Sequence, residues 1–152
     1  MAITLESIKA EHSKVGQMIA EFERQAATTE YRVDAVTIVL APGERYAGLS
    51  VGENGEAACH LILLPGEADE ISWSDARKWA QEQGGFLPTR REQSLLFANL
   101  KAEFQSSWYW SDEEHESNSG WAWCQGFGGG YQGYDVKHDK LRARAVRRLI
   151  IQ

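Results

Sequence analysis

Residues Ser106 to Asp139 read SSWYWSDEEHESNSGWAWCQGFGGGYQGYDVKHD, with four of the chain's six tryptophans set among carboxylates, amides and a triple glycine. The helical period is absent here. WYWS, GWAWCQGF and YQGYDV read as short strands joined by polar or glycine-rich loops, and ARAVRRLI reads as a final strand. Alternation in GWAWCQGF puts Cys124 on the face of Ala122 and Gly126, where a small buried residue is expected. Trp121, Trp123 and Gln125 share the other face. Asp112, Glu113, Glu114, His115 and Glu116 offer carboxylates and an imidazole, the raw material of acid–base work or of a calcium site. Between two strands this run reads first as a solvated acidic turn. GFGGGYQG lacks the Lys-Ser/Thr of a phosphate loop, so its glycines are expected to turn a hairpin that displays Tyr131 and Tyr134. In the last strand, alternation places Arg142, Arg144 and Val146 on one side and Ala143, Ala145 and Arg147 on the other.

Upstream, Ser72 or Ser74 can cap a helix over WSDARKWAQEQ, with Trp73, Ala76 and Ala80 as its stripe and Gly84-Gly85 as its end. Thr89 and Glu92 form a capping box that opens TRREQSLLFANLKAEF, a second helix with Leu95, Leu96, Asn99, Leu100 and Phe104 on one side. Before these helices the period is 2. VDAVTIVLAPG, RYAGLSV and AACHLILLPG read as strands, with Asn54-Gly55 as a turn between the last two. His60 alternates with apolar neighbours and is assigned no catalytic part. From Leu5 to Ala26 the seam Leu5, Ile8, His12, Val15, Ile19, Phe22 and Ala26 has the 3-4 spacing of a coiled coil. Docking on the same chain would give nearly the same spacing. The stripe is narrow, however, and a short isolated helix is marginal without a partner. His12 would sit on the seam, where its polarity can set register or oligomer number.

A length of 152 residues suits one domain with an appended helix, and an apolar fraction of 43% suits an ordinary core. The net charge of −6 argues against a nucleic-acid binder, which needs a basic face. No apolar run reaches the ~18 residues of a membrane span, so no membrane insertion is expected. The start MAITLESIKAEHSK lacks the apolar segment of a secretory signal. Cys59 and Cys124 have no neighbouring Cys or His at zinc-ligand spacing and are expected as buried free thiols.

The order W-S-D-A…W-A…G-G-F-L-P-T-R-R-E…L, W-Y-W-S, W-A-W-C-Q-G-F-G-G-G and R-A-V-R resembles the C-type-lectin-like domain at the C-termini of bacterial collagen-like adhesins and in many prophage proteins. The matching positions are Trp73, Ala76, Leu87, Pro88, Thr89, Glu92, Tyr109, Trp110, Ser111, Ala122, Trp123, Phe127, Val146 and Arg147. They span roughly Ser72 to Ile150, about half the chain. The order and spacing of these short motifs carry the resemblance. It implies an α+β, C-type-lectin-like fold: two helices with short antiparallel strands, preceded here by a coiled-coil helix (1–30) and a small β-hairpin region (31–71), with the lectin-like domain at 72–152. It also implies a binding module, of the kind whose relatives display diversified residues in phage receptor-binding proteins. The EPN or QPD tripeptide and the WND motif of calcium-dependent sugar-binding lectins are missing, and two cysteines cannot make their two disulfides. Calcium-dependent sugar binding is therefore not carried over. Formylglycine-type oxidation uses a cysteine pair, of which the matching half has one member.

Trp73, Trp110, Trp123 and Phe127, at scaffold positions of the pattern, are expected in the core, and Arg147 buried and paired. Tyr and Trp give large contact area at low entropy cost, and Ser, Gly and Asn adapt their hydrogen bonds. On that composition the displayed, ligand-binding residues are expected to be Tyr109, Asp112, Glu114, His115, Asn118, Trp121, Gln125, Tyr131, Gln132, Tyr134, Lys137 and His138. The expected protein is a non-enzymatic phage or prophage virion component of tail-fibre or tail-tip type. It would be a homo-oligomer, first a trimer, through Leu5, Ile8, His12, Val15, Ile19 and Phe22. Its head would bind a host-surface glycan or protein without a cofactor, calcium in the acidic run being the alternative weighed. The second reading is a structural virion protein whose head contacts other virion subunits.

Overall fold

The computed structural model describes residues 3–26 and 35–151. It divides into two compact units, Met1–Ile38 and Val39–Gln152. The first unit holds helix α1 (Leu5–Ala26). Thr4 and Ser7 open it reciprocally, the Ser7 N–H donating to Thr4 Oγ1 and the Thr4 N–H to Ser7 Oγ, both at 3.2 Å. No residue of α1 is buried, and seam residues Leu5 and Phe22 are 67% and 70% exposed. The AATTE break after this helix lies mainly outside the described residues.

The second unit is mixed α+β. Its elements are β1 (Arg45–Ser50), β2 (Cys59–Leu63), β3 (Ala68–Ile71), α2 (Trp73–Glu82), α3 (Arg90–Leu100), β4 (Trp108–His115), β5 (Asn118–Gly126), β6 (Gln132–Val136), β7 (Leu141–Ala143) and β8 (Val146–Ile150). One sheet has the order β1-β2-β8, the other β3-β7-β4-β5-β6. All pairings are antiparallel except β4 with β7. Because β2 from the hairpin region pairs with the last strand, the expected division at Ser72 runs through one compact unit. Among the described residues no helix is long and apolar enough to cross a membrane.

The local signals act as read. Ser72 caps α2, and Thr89 with Glu92 makes both halves of the capping box. Asn54 and Gly55 both have positive φ, and the Glu56 N–H closes the turn onto Glu53 O at 2.9 Å. Several expectations are corrected. Ala35 to Gly43, the described part of VDAVTIVLAPG, forms no strand, because alternation without a neighbouring edge makes no ladder; Val33 and Asp34 lie outside the described residues. The second helix ends at Leu100 and continues only as a 3₁₀ turn over Lys101–Glu103. ARAVRRLI is two strands, not one. At Arg144-Ala145 the chain passes from one sheet to the other, so Ala143, Arg144, Ala145 and Val146 are all buried and the two-sided alternation fails. Arg144 is accommodated by two carbonyls, donating to Glu103 O at 2.6 Å and to Leu64 O at 3.1 Å.

Two apolar clusters follow from strand alternation. Trp110, Ala122 and Cys124 point toward α2 and meet Trp73, Ala76 and Ala80. Tyr109 and Phe127 pack with Leu61, Leu63, Leu96 and Val146 in the second cluster. Cys59 and Cys124 are buried free thiols, and burial pushes the Cys124 thiol up to about 12.

Arg147 is paired as expected but only half-buried; the buried partner is Glu44, whose two oxygens accept Arg147 Nε and Nη2 at 2.7 Å each. These bonds hold the Glu44 carboxyl down at about 2, against the opposing effect of burial and with help from the Ala41 N–H. A depressed carboxylate stabilises the fold above its unfolded pKa of about 4.5 and loses that contribution as pH falls through about 2. The pair is therefore expected to contribute about 3 kcal/mol at neutral pH. Urea midpoints measured across that window should fall more steeply for the native chain than for Glu44→Gln; parallel curves would remove the pair from the acid response.

Candidate functional site

Strand register assembles the site. Trp121 lies opposite Val136, Trp123 opposite Tyr134 and Gln125 opposite Gln132, which puts these side chains on one face of the β4-β5-β6 sheet. α3 covers the inner end of that face. Gln125 is 1% exposed there, donating to Gln93 O at 3.2 Å and accepting from Gln132 Nε2 at 2.8 Å. Tyr109 is likewise 1% exposed, its ring against Phe104 and Phe127 and its hydroxyl donating to Glu67 Oε2 at 2.7 Å. Burial raises the Tyr109 pKa and keeps the hydroxyl protonated. Both were expected as displayed residues, and both are structural. Alternation assigns a side chain to a face, but the covering of that face by α3 and the second sheet comes from the tertiary fold.

Farther out the same face is uncovered. His115, Trp121, Trp123 and Tyr134 form one cluster: His115 meets Tyr134 at 4.5 Å and Trp123 at 5.5 Å, and Tyr134 meets Trp123 at 5.2 Å and Trp121 at 5.4 Å between ring centroids. Tyr134 is exposed, and the other three are half-buried. Trp123, expected in the core, is thus part of this surface, because it points away from the Cys124 side of β5. The guanidinium of Arg90 lies 3.5 Å from the Trp123 ring centroid, and Arg90 Nε donates to Gln132 Oε1 at 3.1 Å. Trp123 Nε1 donates to Glu116 Oε1 at 3.1 Å.

The acidic run is strand rather than loop as far as His115. Its carboxylates are individually engaged: Asp112 by Arg77 at 2.7 Å, Glu113 by the Arg90 backbone N–H at 2.5 Å, and Glu114 by Lys137 at 2.9 Å. The Lys137 bond lowers the Glu114 pKa. Among the described residues no group of three or more His, Cys, Asp or Glu converges as metal ligands. Lys137 also lies 4.4 Å from the Trp73 ring centroid. Asn118, Tyr131 and His138 are exposed, and Asn118 Oδ1 accepts the Gly120 N–H at 3.0 Å.

Beside Arg90 opens a cleft of about 890 Å³, walled by the 51–58 loop, the first turn of α3, Asp112 and Glu113 of β4, Gln132 and the end of β8. Of this lining the expected ligand-binding set held only Asp112 and Gln132, with Glu113 named in the acidic run. Arg91, Glu53 and the pairing of half-buried Arg148 with buried Glu92 were missed. One signal was present: Arg90 and Arg91 sit in a helix's first turn, where cations oppose the helix dipole, and that local conflict points to a tertiary role. Cys124 faces the α2 core, away from His115, so the two make no nucleophile–base pair. The arrangement suits recognition: aromatic faces, a cation and amides held on strands beside a charged cleft.

Comparison of the chain with models of known protein families and with curated proteins finds no match.

Proposed function

We propose that this chain is a non-enzymatic binding protein of a phage or prophage virion, of tail-fibre or tail-tip type, whose C-type-lectin-like head contacts a host-surface glycan or protein. The observation that carries the reading is the uncovered aromatic cluster of His115, Trp121, Trp123 and Tyr134, borne on rigid strands and edged by Arg90. Two helices beside short antiparallel strands agree with the lectin-like resemblance. The α1 seam, with every residue of the helix unburied, supports assembly into a parallel trimer through Leu5, Ile8, His12, Val15, Ile19 and Phe22. Three linked heads would turn weak single contacts into useful avidity.

Sedimentation tests the assembly. The full-length chain is expected as a trimer, with Ile19→Asp and a chain beginning near Tyr31 as monomers. A monomeric full-length chain would remove the oligomer from the proposal. A glycan and cell-envelope binding screen tests the head, and binding is expected to persist in EDTA. Absence of any ligand at high valency would move the head to the second reading, contact with other virion subunits.

A further inference from the structure

We propose that Trp108 and Tyr131 form a calcium-independent subsite for a neutral pyranose ring, separate from the His115–Trp121–Trp123–Tyr134 cluster. This deepens the receptor-binding reading and rests on it. Trp108 opens β4 opposite Gly126. A Cβ on Gly126 would lie 3.3–3.5 Å from the Cε2, Cζ2 and Cδ2 atoms of Trp108, and one on Gly133 would lie 3.5–3.6 Å from its Cζ3 and Cη2 atoms. The indole therefore lies across β5 to β6, one face resting where two strands carry no side chain. Trp108 is 42% exposed, which leaves the other face to solvent. A tryptophan laid flat on a sheet and open on one side is a preformed stacking platform.

The rim is fixed by backbone bonds. Phe127 N–H donates to Ser107 O at 2.9 Å, Gly126 N–H to Tyr131 O at 2.8 Å and Gly130 N–H to Gly126 O at 2.8 Å. Lys101 Nζ ties Gly128 O at 3.1 Å. Between Ser106, Ser107, Gly128, Gly129 and the Trp108 and Tyr131 rings lies a pocket of about 150 Å³. Among the described residues no charged side chain lines it, the Lys101 ammonium standing at the rim on Gly128 O, and this lining suits a neutral occupant. One apolar face with hydroxyls at the rim matches a pyranose, which presents C–H bonds on a face and hydroxyls at its edge. A nucleotide would bring phosphates toward a chain of net charge −6.

The test uses the full-length chain labelled with ¹⁵N, whose six tryptophan indole N–H signals are assigned by single Trp→Phe substitutions. It is titrated with the methyl pyranosides of glucose, galactose, mannose and N-acetylglucosamine, with and without EDTA. Saturable shifts centred on Trp108, with a Kd on the order of millimolar, are expected for at least one sugar. Trp108→Ala should weaken binding about tenfold. Tyr131→Ala, at a residue 77% exposed and safe for folding, should weaken it about threefold. Lys78→Ala, on the exposed side of α2, should leave it unchanged. Shifts confined to Trp121 or Trp123 would overturn this subsite and leave the receptor reading standing. No shift with any pyranoside would also overturn it, and the cell-envelope screen then judges the receptor reading independently.

Discussion

Glu92→Ala is expected to remove about 3–5 kcal/mol of folding stability, a large fraction of the 5–15 kcal/mol that holds an ordinary domain. Glu92 has only 5% of its side chain exposed and serves two structures at once. Its Oε2 accepts the Thr89 N–H at 2.8 Å, closing the capping box, and also accepts Arg148 Nη2 at 2.7 Å, while Oε1 accepts Arg148 Nε at 2.5 Å. Alanine leaves the half-buried guanidinium of Arg148, in the wall of the cleft, without its counter-charge, and leaves the first turn of α3 without its reciprocal cap. The loss belongs mainly to the orphaned charge. The double substitution Glu92→Leu with Arg148→Met should therefore recover most of it, since well-packed apolar replacements of buried pairs are often neutral. Urea unfolding of the three proteins decides: a single variant within about 1 kcal/mol of the native chain would mean that the pair contributes little.

The same pair shows where sequence reading ends. T-R-R-E announced a helix start, because the cap is local chemistry between residues three apart, and the structure has that cap. Nothing local states that Glu92 also meets Arg148, 56 residues away on β8. The hairpin turn at Asn54-Gly55, the caps of α2 and α3 and the strands β4, β5 and β6 were legible for the same reason as the cap. β3 was not. Its sequence ADEI has no alternating apolar face, and Ala68 to Ile71 become a strand only by lying on the edge beside β7. The break at Arg144-Ala145 was hidden because alternation in ARAVRRLI is as good before it as after. The site divides likewise. Residue types with recognition chemistry were visible in Trp121, His115 and Tyr134, whereas the burial of Tyr109 and Gln125 and the cleft depend on segments that only the fold brings together.

Trp110→Ala is expected to cost about 3–5 kcal/mol, and to lower the melting temperature by roughly 10–25 °C. The indole is wholly buried among Trp73, Ala122, Cys124 and Ala143, and its Nε1–H donates to Ile71 O at 2.9 Å. Removal opens a ring-sized cavity against small neighbours that cannot expand into it, and the Ile71 carbonyl, on the edge strand, loses its donor. Trp110→Phe separates the two effects: it keeps most of the volume but not the donor, so it should cost about 1–2 kcal/mol from the hydrogen bond with little further cavity cost. Trp108→Ala, two residues earlier on the same strand, supplies the contrast. Its ring is open to solvent on one face, and its loss should change the melting temperature by only a few degrees, within the range of a partly exposed substitution. If Trp110→Ala melted within a few degrees of the native chain, α2 would not be held to the sheet through this indole. If Trp108→Ala proved as costly as Trp110→Ala, its indole would be a packing element and the platform assigned to it would lose its basis. The two substitutions thus separate a tryptophan that builds the fold from one that the fold presents.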